Sequence, residues 1–147
     1  MISRSIIQQI EIHGNDEDAL SIDLGNILRC IANGDIYNWS ILLIEGIGKL
    51  QNMTMLEFEE SVVKSSNGHI LKWDELINLS MSLDQIVDLT LVADRNLVSL
   101  KKYDSDEEMY NNCDLTIELI DSSYWVIHSK NVPLNGMIEN LEGVKII

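Results

Sequence analysis

Residues 114–129 constrain the fold most, because a stretch of alternating apolar and polar side chains is followed, after a short turn, by a second apolar segment. Every second residue from Leu115 to Leu119 is apolar, and a second apolar segment, residues 124–129, follows the polar turn at residues 121–123. A period of two places successive side chains on opposite faces of a strand. The pattern therefore predicts a β-hairpin with one buried face.

Several further segments have the composition of strands. These segments are residues 6–13, 39–47, 86–93, 97–103 and 144–147, the last as an edge strand. They come in hairpin-like runs rather than in strict alternation with helices, which favours an antiparallel sheet. We therefore expect an α+β fold in which a mainly antiparallel sheet packs against two or three helices. A chain of 147 residues suits one domain, residues 1–147.

The first predicted helix has one apolar stripe at helical spacing. The stripe consists of Leu20, Leu24, Ile27, Leu28 and Ile31. Asn15 or Asp16 can cap its start. Asn33 and Gly34 can supply the left-handed residue that ends it. This stripe predicts a helix that buries one face against the sheet.

Two other helices and one loop are predicted. The second helix runs from a cap at Asp74 through Leu83, and a third covers residues 132–141, where Pro133 suits the first turn. Residues 103–112 are polar and acidic and are expected to form a loop.

Residues 53–66 are compatible with a helix or with strands. Thr54 and Glu57 have the spacing of a capping box, which indicates a helix start. Asn67 and Gly68 form a favourable hairpin turn, which indicates strands beside it. We favour strands around that turn.

The charge balance limits the kinds of partner. The chain has 24 acidic and 10 basic residues, which gives a formal net charge of −14. A chain this acidic is expected to repel nucleic-acid phosphates and anionic membrane surfaces, and to attract basic proteins. The alternative is that the acidity serves only to keep the protein in solution.

The sequence gives three indications of location. The apolar character of the first residues is interrupted by Gln8, Gln9 and Glu11, so no secretion signal is expected. The longest apolar run, residues 41–44, is far shorter than the roughly 20 residues that span a bilayer. With only two cysteines there is no disulfide framework. We expect a cytoplasmic protein.

Histidine and cysteine residues do not have the spacing of a metal or catalytic site. His13, His69 and His128 are far apart and are expected to be structural or surface residues. Cys30 and Cys113 are expected to be buried thiols. We expect no metal, no cofactor and no enzymatic activity. The alternative is an enzyme whose site is assembled from scattered residues, which would need a deep pocket that brings His69 or His128 beside two carboxylates.

The acidic segment, residues 104–121, is the strongest candidate for a binding site. It contains no lysine or arginine, and aromatic residues lie in and directly around it. Aromatic side chains anchor partners and charges steer them, so the segment predicts a protein-binding surface. The candidate partner-binding residues are Asp104, Asp106, Glu107, Glu108, Tyr110, Asp114, Glu118 and Asp121. The alternative is that Trp125 faces the core and the acids form only a solvated face. The EF-hand pattern of a calcium loop is absent from residues 104–108.

Three stretches together resemble a known family. They are residues 39–46 (Trp-Ser-Ile-Leu-Leu-Ile-Glu-Gly), residues 66–76 (Ser-Asn-Gly-His-Ile-Leu-Lys-Trp-Asp-Glu-Leu) and residues 84–88 (Asp-Gln-Ile-Val-Asp). In this order they resemble the small immunity proteins of bacterial polymorphic-toxin and contact-dependent growth-inhibition loci. The resemblance directly covers about the central third of the chain.

The resemblance implies a function that agrees with the charge. Such immunity proteins bind the cognate toxin domain of a neighbouring cell's effector and block its active site or an exosite. Many of these toxins are nucleases acting on RNA or DNA, and their basic clefts can accept an acidic inhibitor. The alternative function is an acidic protein-binding module for another basic partner, such as an adaptor, a secretion chaperone or a nucleic-acid mimic.

Overall fold

A computed structural model describes residues 7–13, 22–130 and 144–146. The elements are β1 (Ile7–His13), α1 (Leu24–Leu28), β2 (Asn38–Gly48), α2 (Met55–Lys64), β3 (His69–Leu71), α3 (Trp73–Ser82), β4 (Leu83–Asp94), α4 (Asp106–Asn112), β5 (Leu115–Ile120), β6 (Tyr124–Lys130) and β7 (Val144–Ile146). Among the helices in these ranges, none combines the length and the apolar composition needed to cross a bilayer.

The strands form one seven-stranded sheet in the order β3-β2-β4-β5-β6-β1-β7. All of the strand pairs are antiparallel. The predicted α+β fold with a mainly antiparallel sheet is therefore confirmed. The predicted hairpin is β5 and β6, in which Leu115 lies opposite Ser129 and Ile120 opposite Tyr124. The predicted edge strand is β7, which pairs with β1.

One face of the sheet carries the main apolar core, which α1, α2 and α3 cover. The core includes Leu115, Ile117 and Leu119, the residues whose alternation predicted the hairpin. Trp125 is also in this core, and its indole Nε1 donates to the Ile22 carbonyl at 2.8 Å. Trp125 therefore faces the core, as the alternative interpretation of the acidic segment held. Its ring is not available to a partner.

The opposite face is covered over part of its area by the segment 97–113, which contains α4. A smaller apolar cluster lies beneath it, made of Leu42, Val92, Leu100, Met109 and Cys113. The side chains of β5 and β6 that point to this face include Thr116, Glu118 and His128, because their neighbours in sequence belong to the main core. We call this side of the sheet the polar face.

The preference for strands within residues 53–66 is wrong, because α2 occupies most of this range. The Thr54 hydroxyl accepts from the Glu57 N–H and the Glu57 carboxylate accepts from the Thr54 N–H, both at 3.1 Å, so the capping box forms. Phe58 and Val62 then bury one helical face. Only the piece after Gly68, β3, is a strand.

Residues 97–112 also differ from their predictions. The predicted strand at 97–103 is wrong, because a 3-10 turn occupies Leu97–Ser99. The predicted loop at 103–112 is wrong, because α4 begins directly after Ser105. The Ser105 hydroxyl accepts from the Glu108 N–H at 3.2 Å. A polar cap and first-turn acids are what a helix start requires, and they outweigh the shortage of apolar residues.

The other helices begin at different residues from those predicted. Within the described residues α1 is capped by Asp23, whose carboxylate accepts from the Asn26 N–H at 2.8 Å. The suggested caps Asn15 and Asp16 lie outside the described residues, as does the predicted helix at 132–141. The structure places the α3 cap at Lys72 rather than Asp74, since the Glu75 carboxylate accepts from the Lys72 N–H at 2.9 Å.

Candidate functional site

Helix α4 presents a group of carboxylates to solvent. Asp104, Asp106, Glu107 and Glu108 are all exposed. Three of them lie in the first turn of α4, where the helix dipole favours negative charge. Among the residues that the structure describes, none of the four forms an ion pair. These four carboxylates, which we call the α4 acids, are free to meet a cationic partner.

Tyr110 links α4 to the polar face of the sheet. Its hydroxyl donates to Glu118 Oε1 at 2.5 Å, and its ring stacks on His128 with a centroid distance of 4.7 Å. Burial raises the pKa of the Tyr110 hydroxyl, and the hydrogen bond to Glu118 adds to this rise. The hydroxyl is therefore protonated at neutral pH and remains a donor.

Glu118 is almost completely covered, with 6% of its surface exposed. Burial raises the pKa of its carboxyl, the hydrogen bond from Tyr110 partly opposes this rise, and the nearby Asp106 adds to it. The predicted residues Asp106, Tyr110 and Glu118 are thus brought together. Glu118 acts as the internal partner of Tyr110 rather than as a surface charge.

His128 supports the Tyr110 ring from the sheet. It is half-buried on β6 directly opposite Thr116 of β5. Burial lowers the pKa of His128, and the charge of Lys130 lowers it further, so the ring is neutral at neutral pH. His128 Nδ1 and Thr116 Oγ1 are the two buried side-chain atoms in the described ranges that lack a hydrogen-bond partner.

The structure places Asp114 in a hydrogen-bond network within the chain rather than on the exposed surface. Its Oδ2 accepts from the Arg95 backbone N–H at 3.1 Å and from Arg95 Nε at 3.2 Å. Its own N–H donates to the Asp94 carboxylate at 2.9 Å, and only 9% of its surface is exposed. The prediction of Asp114 and Glu118 as partner-binding residues therefore needs correction, because both side chains are buried and bonded within the chain.

Asp121 remains exposed in the turn between β5 and β6. It adopts a left-handed backbone with φ of 47°, and the following Ser122 has φ of 56°. The Asp121 N–H donates to the Asp88 carboxylate at 2.9 Å, which fixes the turn against β4. The Asp121 carboxylate is thus a further exposed negative charge, separate from the α4 acids, at the end of the hairpin.

A second stacked pair lies on the polar face and was not among the predicted site residues. The His13 ring stacks on Tyr124 with a centroid distance of 4.9 Å, and His13 Nε2 lies 2.8 Å from Glu11 Oε1. Glu11 and His13 alternate along β1, so their shared face could be inferred from the sequence. Their position beside Tyr124 depends on the β1–β6 pairing, which local patterns do not encode.

The described cavities do not contain the histidines that the enzyme hypothesis requires. A cavity of about 580 Å³ is lined by residues that include Asp35 and Trp73, and one of about 420 Å³ by residues that include Asp23 and Trp125. Neither His69 nor His128 lines either of them. Within the described ranges no group of three His, Cys, Asp or Glu side chains is arranged to hold a metal ion.

The two cysteines are buried thiols. Burial raises the pKa of Cys113 to about 11 and also raises that of Cys30. A thiol with such a pKa is protonated at neutral pH and is a poor nucleophile. The expectation of buried thiols at both positions is confirmed.

Comparisons with known proteins give no assignment for this chain. No family model matches the sequence, and no curated protein or solved structure matches it.

Proposed function

We propose that this chain is an immunity protein that binds and neutralises a basic bacterial toxin domain, with the α4 acids at the interface. One observation carries the proposal. Four exposed carboxylates without ion-pair partners in the described residues precede Tyr110 in the chain, and the Tyr110 side chain is already fixed on the sheet. The resemblance of residues 39–46, 66–76 and 84–88 to immunity proteins supports the same function.

The two parts of this surface have different physical roles. Unpaired carboxylates create a negative potential that accelerates encounter with a cationic surface. Half-buried rings with low conformational freedom bind at a small entropic cost, because little side-chain motion remains to be lost. Tyr110 is held by Glu118 and His128, and Tyr124 by His13. The arrangement suits recognition of a protein rather than a chemical transformation.

A nuclease domain is the class of toxin that this surface fits best. Nucleases bind phosphate backbones with lysine and arginine side chains, so their active-site clefts are positively charged. An acidic inhibitor that occupies such a cleft replaces the phosphates and prevents substrate from entering. Neutralisation by this route requires no catalytic group on the inhibitor.

The test compares two variants with equal net charge. In the first, the α4 acids become amides (Asp104→Asn, Asp106→Asn, Glu107→Gln, Glu108→Gln). In the control, four exposed acids elsewhere become amides (Asp35→Asn, Glu60→Gln, Asp74→Asn, Asp84→Asn). The binding partner is the toxin domain that the immunity function predicts in an adjacent gene, and its association is measured by stopped flow at several salt concentrations. We expect the α4 variant to associate about tenfold more slowly at low salt and with a shallower salt dependence.

The control distinguishes a local effect from the effect of overall charge. If the control slows association as much as the α4 variant does, the α4 acids are not at the interface. If the adjacent toxin domain does not bind the unmodified chain, and co-expression does not protect cells from it, the immunity function is wrong. A binding module for another basic protein would then be the better interpretation.

A further inference from the structure

Part of the polar face, on β2 and β4, is not covered by the segment 97–113. We call this part the open strip, and it consists of Leu43, Glu45, Ile47, Gln85, Asp88 and Thr90. Leu43 lies opposite Thr90, Glu45 opposite Asp88, and Ile47 opposite Gln85. Opposed residues in an antiparallel pair point to the same face, so these six side chains form a two-column surface.

The neighbours of these residues show which face they occupy. Leu89 and Leu91 belong to the main core, so Thr90 between them points to the polar face. Leu43 pairs with Thr90 and therefore points the same way. The exposed fraction is 45% for Leu43 and 60% for Ile47, so two large apolar side chains remain open to solvent where β2 extends beyond β3 and pairs only with β4. The two side chains lie on the same face of one strand, separated by Glu45, so a partner laid along β2 can cover both of them.

The open strip is continuous with the candidate site. Thr90 lies opposite Glu118 in the β4–β5 pair, and Glu118 accepts the hydrogen bond from Tyr110 of α4. A partner that contacts the α4 acids and Tyr110 can therefore extend directly over Thr90 onto Leu43. Neighbouring strands are about 5 Å apart, so β4 separates Glu118 on β5 from Leu43 on β2 by two such spacings.

The charge of the strands defines the chemistry of the partner. Strands β1, β2, β4 and β5 contain no lysine or arginine, and the Lys130 ammonium of β6 is bonded to the Asn111 carbonyl at 3.0 Å. The lysine nearest in sequence to the β2 residues of the open strip is Lys49, which follows the end of β2. The charged members of the open strip, Glu45 and Asp88, are both acidic. A surface with two exposed apolar side chains and only negative charges complements an apolar segment flanked by lysine or arginine.

We propose that the open strip binds an apolar segment, flanked by cationic side chains, of the same basic toxin domain that the α4 acids attract. This inference rests on the proposed function and adds the position of the apolar contact. The two surfaces then have separate kinetic roles. The α4 acids set the association rate, and the open strip sets the dissociation rate because buried apolar contacts must separate when the complex opens.

The test replaces the two exposed apolar residues by a residue that strands favour. Leu43→Thr with Ile47→Thr removes apolar area and places a β-branched side chain, which strands favour, at both positions. The control is Leu97→Thr with Val98→Thr, at apolar residues of the 3-10 turn that are 55% and 78% exposed. Binding of the adjacent toxin domain is measured by surface plasmon resonance. We expect the strip variant to dissociate about 10- to 100-fold faster with an unchanged association rate, and the control to behave as the unmodified chain.

Each outcome supports or overturns the inference. Failure of the unmodified chain to bind overturns the proposed function and this inference with it. Binding by the unmodified chain with the same dissociation rate in the strip variant overturns only the inference. If sedimentation shows that the unmodified chain dimerises and the strip variant does not, a second copy occupies the strip and the inference is wrong. Ile47→Gln alone provides the same measurement should the double variant fail to fold, as judged by circular dichroism.

Discussion

Both halves of the acidic segment 104–121 contain several carboxylates, but these lie in different environments, and in the second half only Asp121 in the turn is exposed. In the first half, the α4 acids point into solvent and have no ion-pair partner among the described residues. In the second half, Asp114 and Glu118 lie on or beside β5, where they are buried and accept hydrogen bonds from Arg95 and Tyr110. A count of carboxylates therefore overestimates the surface charge of this segment, because the secondary structure determines which of them reach solvent.

The comparison also separates two uses of a negative charge. A buried carboxylate with fixed donors affects the stability of the fold, since its removal can leave those donors unpaired, and it contributes little to the recognition of a partner. An exposed carboxylate contributes little to stability and acts over a distance set by the ionic strength. Substitutions in the two halves should consequently affect different measurements.

The largest expected effect on the free energy of unfolding comes from replacing Asp114. Asp114→Ala removes the acceptor for two donors of Arg95, one of which is the backbone N–H. Loss of a charged acceptor that leaves a partly buried donor unpaired lowers the free energy of unfolding by about 2–3 kcal/mol. Urea denaturation at pH 7 measures this change. The exposed Glu107→Ala is the control, and an equal loss in both variants would show that Asp114 has no special structural role.

The second largest expected effect on the free energy of unfolding comes from replacing Tyr110. Tyr110→Phe keeps the ring that stacks on His128 but removes the donor to the buried Glu118 carboxylate. We expect the free energy of unfolding to fall by about 1.5 kcal/mol at pH 7, the scale of a hydrogen bond to a charged group. Tyr124→Phe is the matched control, since no hydrogen bond of its hydroxyl is present within the described residues. Equal stability of the two variants would contradict the role assigned to the Tyr110 hydroxyl.

Replacement of Glu118 should have a smaller effect of opposite sign. Burial raises the pKa of Glu118 in the folded state, so the native protein binds more protons than the unfolded chain between the two pKa values. Stability from this group is complete below the unfolded pKa and is lost as the pH rises through the folded pKa. Glu118→Gln keeps an acceptor for Tyr110 without the charge, and should be more stable than the unmodified chain at pH 7.

The pH dependence checks the cause of this gain. The difference between Glu118→Gln and the unmodified chain should disappear below about pH 4, where the carboxyl is protonated in both states. Denaturation curves from pH 3.5 to 8 give the profile. A gain that is constant across this range would mean that packing, rather than ionisation, determines the difference.

The fold was predictable where a pattern is local. Alternation from Leu115 to Leu119 has a period of two and required no knowledge of other strands, and the hairpin was found correctly. Helix α4 was missed because it is seven residues long and buries only Met109, too few positions to show a helical period. Its signal was the Ser105 cap followed by three acids, which the sequence contains but which also suits a solvated loop.

The candidate site was predictable only in part for the same reason. The exposed α4 acids could be chosen from their one-signed charge, whereas the burial of Asp114 depends on contact with Arg95 from the preceding strand end. The pairing of His13 with Tyr124 requires β1 to lie beside β6, and the two strands are at opposite ends of the chain. Such long-range registers depend on the whole sheet and leave no short pattern in the sequence.

The smallest expected effect on stability is at Glu107, in the exposed half of the segment. Glu107→Gln removes one charge from the first turn of α4, where its interaction with the helix dipole contributes about 0.3 kcal/mol to stability. The same substitution removes one of the four charges that attract a basic partner. We therefore expect unfolding to be nearly unchanged while association with the adjacent toxin domain slows by about twofold at low salt and not at high salt. Glu60→Gln on α2 provides the control, because it removes an exposed charge from another helix. If Glu107→Gln instead changes stability as much as Asp114→Ala does, the division between a structural half and a recognition half of the segment is wrong.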